Sequence, residues 1–210
     1  MSRKSVRIYG GEDNQGNPAP DETAQVTTGA LHVTVPGAVD TISGALIVIP
    51  SLHKHTHAGN VYHVSQKLTG VTSGASAEFI IKVPSGIYPH LHKHTASLGG
   101  GDIDFEAYEG PTITADGTAM AANNTNRNST NTPGATFFHT PTTTADGTLI
   151  HTHWVPPAPT GQGRAQTGIL DATSGEEWLL KPATNYLHRI TNNGADTIDI
   201  WIEILFYELT

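Results

Sequence analysis

Pro111-Thr-Ile-Thr-Ala-Asp-Gly-Thr118 and Pro141-Thr-Thr-Thr-Ala-Asp-Gly-Thr148 are one phrase written twice. A β-prone apolar run precedes each copy: Ile103-Asp-Phe-Glu-Ala-Tyr108 before the first, Ala135-Thr-Phe-Phe-His139 before the second. Asp-Gly beside a strand is a turn signal, because glycine takes positive φ at no steric cost and aspartate bonds its own backbone. The phrase therefore predicts two related strand–loop–strand units, neighbours in one sheet. The run between them, Ala121-Ala-Asn-Asn-Thr-Asn-Arg-Asn-Ser-Thr-Asn-Thr132, is polar and rich in asparagine, which predicts an exposed loop.

Outward from that stretch the pattern stays β. Strands are expected at Ser5–Tyr9, Gly29–Val35, Ala45–Ile49, Asn60–Ser65, Ala77–Val83 and around Gly86–His94, with a further one at Glu176–Lys181. Asn185–Thr191 and Asp196–Leu209, joined by Asn192-Asn-Gly194, read as a hairpin. In its last strand Ile198, Ile200, Ile202, Ile204 and Phe206 form a core face. Trp201, Leu205 and Tyr207 lie on the other face, which marks them as interface candidates. Roughly ten to twelve strands and no helix predict an all-β fold, an antiparallel β-sandwich or jelly roll. Residues 1–28 read as an extended N-terminal arm and 29–210 as a single sandwich domain.

With 210 residues, one such domain buries ~70% of its unfolded surface. Charged residues are 14%, against ~25% in an average globular protein, and the net charge is −8. The longest basic cluster is Arg3-Lys4, so no nucleic-acid partner is expected. No apolar run reaches the ~20 residues of a membrane helix, and Met1–Arg7 lacks the apolar region of a signal peptide. A soluble protein made in a cytoplasm is expected. Without cysteine the fold stands without disulfides.

Histidine is the chemically notable residue, with twelve copies. His53, His55 and His57 form one group, His90, His92 and His94 a second, His151 and His153 a third. On a strand, residues i and i+2 share a face, so each His-x-His pair would aim two imidazoles at one point, as a divalent transition metal requires. The preferred reading is simpler: polar strand residues beside threonines on a wet face, with no carboxylate nearby to complete a ligand set. A third reading sets copies of one histidine around a symmetry axis. The cupin pattern of His-x-His followed by Glu is incomplete at both His90–His92 and His151–His153. Gly99-Gly-Gly101 lacks the lysine of a phosphate loop, and there is no Gly-x-Ser-x-Gly elbow. Asp104, Glu106 and Glu109 read as a solvated strand face, and Trp154, Trp178 and Trp201 as core or interface residues. No catalytic residue and no cofactor is expected.

Three segments together resemble a family of structural proteins of tailed phages and prophages. They are Asp104–Thr118 running into Asn124–Ser129, then His139–Thr148, then Trp178–Asn192. The resemblance covers about residues 57–208, and its more specific phrases are Tyr108-Glu-Gly-Pro-Thr112 and Lys181-Pro-Ala-Thr-Asn-Tyr186. The histidines at 52–57 and 90–94 lie outside the shared pattern, so no metal role follows from it. What the resemblance implies is a non-enzymatic virion component. Its expected role is a capsid decoration or cement protein on the head surface, bound to the major capsid protein and to itself as a homotrimer. The alternatives are a tail or head-fibre component with receptor- or glycan-binding loops at Ala121–Thr132 and Val155–Gly163, and a cupin-like metal-binding protein.

Overall fold

A computed structural model describes residues 6–7, 23–24, 26–27, 30–31, 51–98, 102–156, 166–170 and 177–209; the strands before residue 50, residues 93–98 and residues 166–170 are described by backbone alone. The chain divides into two compact units, Met1–Pro50 and Ser51–Thr210. In the first, β1 (Val6–Arg7) pairs β2 (Thr23–Ala24), and β3 (Val26–Thr27) pairs β4 (Ala30–Leu31), all antiparallel. The rest of the expected arm and the strand at Ala45–Ile49 lie outside the described residues.

The second unit is an antiparallel β-sandwich, as the strand pattern predicts. It opens with α1 (Ser51–Ala58), followed by β5 (Val61–Val71), β6 (Ser76–Lys82), β7 (Tyr88–Leu98) and β8 (Ile103–Glu109). Then come β9 (Thr112–Ala115), β10 (Thr118–Met120) and β11 (Ala122–Asn124). The second repeat supplies β12 (Thr136–His139), β13 (Thr142–Ala145) and β14 (Thr148–Val155). β15 (Gln166–Leu170), β16 (Trp178–Leu179), β17 (Asn185–Asn192) and β18 (Ile198–Leu209) complete it. Among the described residues, one sheet runs β10-β12-β6-β17-β8-β14. The other runs β11-β5-β18-β7-β15, with β16 also on β7.

The two repeats do share a sheet, but each completes the other. β10, the trailing strand of the first, pairs β12 of the second, and β14 of the second pairs β8 of the first. β9 and β13 pair where the copies cross. The backbone N–H of Thr140 donates to Glu78 at 2.9 Å, and in the equivalent place that of Gly110 donates to Asn185 at 2.9 Å. The exchange therefore approximates a two-fold axis between β6 and β17. A bulge between Leu149 and His151 breaks it and sets His151 opposite Ala107, the register that Ile150 would otherwise fill.

Two expectations are corrected. β17 and β18 are not a hairpin, for they sit at the centres of different sheets. Asn192 makes the corner: buried, it donates through Nδ2 to the carbonyls of Val71 (2.9 Å) and Asp196 (2.8 Å), satisfying a backbone that leaves one ladder for another. Ile198, Ile200, Ile202, Ile204 and Phe206 are buried as expected and meet the first sheet across the core. There Phe206 packs on Phe137 at 5.0 Å, and within its own sheet it packs on Tyr62 of β5 at 5.4 Å. The second correction is α1, which occupies a stretch whose histidine spacing suggests a strand.

Candidate functional site

α1 is held at its C-terminus by the asparagine run. Gly59 (φ 73°) ends the helix, with Asn60 N–H donating to His55 O and Gly59 N–H to Thr56 O, both at 3.0 Å, a Schellman closure. The remaining carbonyls meet asparagine amides: Asn126 Nδ2 donates to His57 O at 3.2 Å and Asn124 Nδ2 to Gly59 O at 2.8 Å. Asn131 Nδ2 reaches the same Gly59 oxygen at 3.2 Å. The stretch 121–132 is thus no free loop. It gives β11 to the sheet beside β5 and then staples the helix end, which needs such donors because its last carbonyls have no partner within the helix.

So fixed, α1 lays His55 on Tyr207. The rings stack at 4.2 Å and 6°. His90, on the neighbouring strand, stacks on the same tyrosine at 4.4 Å and 15°, and His92 lies tilted to it at 5.3 Å. Tyr207 is therefore buried by its own chain, whereas Trp201, on the same strand face, is 43% exposed and Leu205 half-buried. β16, paired to β7 through Trp178–Leu91 and Leu179–His90, brings Glu177 to the cluster. Glu177 Oε1 lies 2.7 Å from His90 Nδ1, and the Tyr207 hydroxyl donates a hydrogen bond to the same carboxylate. His92 Nε2 is 3.3 Å from that oxygen, a charge contact outside hydrogen-bond alignment, and is shut off from solvent.

The electrostatics follow from this packing. Burial alone raises the Glu177 pKa, but the hydrogen bonds from Tyr207 and His90 and the nearby His90 and His92 outweigh it, so the carboxyl is held below its ordinary range. Burial pushes His55 below 6.5, and Lys54, His90 and His92 push the same way against Glu177. The cluster is a carboxylate clasp that ties helix, sheet and β16 into one corner.

The histidine groups come apart differently from the strand expectation. On α1, His55 turns to Tyr207, while His53 and His57, one helical turn apart, are exposed with Nε2 atoms 3.0 Å apart. On β7, His90 and His92 converge on one carboxylate, which the sequence reading did not supply. Glu177 lies 87 residues from His90, and no local signal links them. His94 takes the register position of core-facing Ile204, beyond an irregularity that interrupts the two-residue period; its side chain lies outside the described residues. His151 and His153 share a face as expected, rings parallel at 6.5 Å, with His151 edge-on to Trp178 at 5.2 Å. Among the described residues, no group of three or more His, Cys, Asp or Glu side chains is arranged to hold a metal ion. A buried histidine the sequence reading passed over, His188, stacks on Phe79 at 4.6 Å in the core.

Set beside known proteins, the chain finds no counterpart: no family model, no curated protein and no solved structure matches it.

Proposed function

We propose that this chain is a non-enzymatic structural protein of a phage virion, one that decorates the assembled head and stabilises it. Its partners on this reading are the major capsid protein and further copies of itself, grouped as a trimer on the capsid surface. The observation that carries the reading is the set of large apolar side chains left at the surface of the sandwich. On β14, at one edge of its sheet, Leu149, Ile150 and Trp154 are exposed, Trp154 by 58%. Leu179 is exposed by 58% as well, beside β7. Apolar groups gathered on an edge strand mark a surface made to meet another protein. The phrases Tyr108–Thr112 and Lys181–Tyr186, which carry the resemblance to virion proteins, lie close to this edge: Leu149 stands opposite Tyr108, and Lys181 Nζ contacts Glu109 at 2.6 Å. Repeated on every capsomer, modest contacts add up through multivalency and mass action.

Co-sedimentation with stripped heads, beside tails of the same phage, tests this. Saturable binding to heads at many copies per particle is expected. A Trp154→Ser chain that keeps its β circular dichroism should bind roughly thirtyfold more weakly, the loss of ~2 kcal/mol typical of an aromatic anchor. Binding to tails alone, or to neither, rejects the reading.

A further inference from the structure

We infer that His53 and His57 form a two-imidazole chelate for a divalent transition-metal ion on the exposed face of α1. The inference is independent of the virion reading. Residues i and i+4 of a helix stand one above the other, so the two rings project from one face. Their Nε2 atoms are 3.0 Å apart, with ring centroids at 4.5 Å and planes at 68°. Ligand bonds of about 2.1 Å meeting at a right angle set two nitrogens about 3.0 Å apart, whereas a tetrahedral angle sets them about 3.4 Å apart. The spacing therefore fits adjacent positions of a square-planar or octahedral ion, the geometry of Cu²⁺ and Ni²⁺.

The pair is held in place before any ion arrives. Asn126 grips the carbonyl of His57 itself, the Gly59 closure ends the helix two residues on, and His55 anchors the opposite face on Tyr207. The backbone that carries both rings has little freedom left to lose on binding. Without metal, one Nε2–H donates to the other ring's lone pair. For both Nε2 atoms to ligate, the donor ring carries its proton on Nδ1 instead, a change of tautomer. Water or a donor from another molecule completes the coordination shell.

The test is titration of the full chain with NiCl2 in a non-coordinating buffer, followed by calorimetry. One equivalent should bind. Either His53→Gln or His57→Gln should weaken it by more than the roughly 10–100-fold typical of losing a mere outer-shell partner. His139→Gln and His153→Gln, on β12 and β14 of the other sheet, should leave it unchanged, and circular dichroism of each variant establishes that the fold is kept. With Cu²⁺, electron paramagnetic resonance should show two equatorial nitrogens in the parent and one in either α1 variant. No binding by the parent, unchanged binding in both α1 variants, or loss confined to the His139 and His153 variants overturns the assignment.

Discussion

At the scale of single residues, the repeats are pinned by two ion pairs that occupy equivalent places but are unequal in strength. Arg189 forks onto Asp146 at 2.7 and 2.8 Å, reaches Glu78 through Nε at 2.7 Å, and lies over the Tyr108 ring at 5.3 Å. Its counterpart Lys82 touches Asp116 at 2.9 and 3.0 Å and lies over Phe138 at 5.9 Å. A planar guanidinium matches a carboxylate with two parallel bonds where an ammonium offers a point charge. The hydrogen bonds from Arg189 hold Asp146 below its ordinary 3.8, against the opposing effect of burial. A carboxyl with a lowered folded-state pKa binds fewer protons folded than unfolded. Its contribution is present above the ordinary value and is lost as pH falls through the depressed one. The Asp146 side chain is 39% exposed, so solvent screens the pair and Asp146→Asn should cost about 1 kcal/mol at pH near 7. Urea unfolding at about pH 7 and about pH 3 should show the gap between parent and variant narrowing in acid. Asp116→Asn should cost less at neutral pH, and a parent–variant gap independent of pH would refute the assignment.

At the scale of elements, the Asp-Gly turns were legible and the strands they serve were not. Gly147, at φ 90°, sets its α-carbon against the Glu109 carbonyl oxygen, where an added Cβ would collide with backbone. Gly110, at φ 74°, leaves open space where a Cβ would stand. Gly110→Ala should thus cost only the left-handed strain, about 1 kcal/mol, while Gly147→Ala adds a clash that parts β14 from β8 and should cost about 3 kcal/mol or more. Equal losses in thermal unfolding would disprove the close approach. The turn chemistry is local, so the sequence displays it. Which strand then receives β10 or β14 depends on partners far along the chain, and the repeat itself says only that the units are neighbours in one sheet. The same limit explains the β17–β18 corner, where Asn192-Asn-Gly194 mimics a hairpin turn while its buried asparagine bridges two sheets. For α1 the markers were present: Ser51 opens the helix and Gly59 follows it as start and stop signals, but the period-two histidines suggested a strand. The histidines of the site were visible as candidates. Glu177 was not, because only the pairing of β16 with β7 brings it near.

For the whole molecule, strand exchange makes the halves interdependent. Neither repeat can finish its part of the first sheet without the other's trailing strand, and β17 must lie between β6 and β8 to join them. The second sheet leans on the first through Phe206, Ile200 and Ile204 against Phe79, Phe105 and Phe137, buried side chains whose exposure costs ~2–3 kcal/mol each. Opening β18 therefore uncovers the inner face of both sheets at once. Residues 51–210 should accordingly unfold in a single transition. The tryptophans divide conveniently for measuring this, since Trp154 lies in the first sheet and Trp178 and Trp201 in the second. Two variants, one keeping only Trp154 and one keeping only Trp201, with phenylalanine at the other positions, place a fluorescent probe in each sheet. Within either variant, urea denaturation followed by fluorescence should coincide with far-ultraviolet circular dichroism in midpoint and slope, as an all-or-none transition requires. A Trp154 transition preceding the loss of circular dichroism would mean that β14 peels away alone. The exchanged strand would then be an appendage of the second repeat, and the interlocking of the two copies would contribute nothing to the stability of the sandwich.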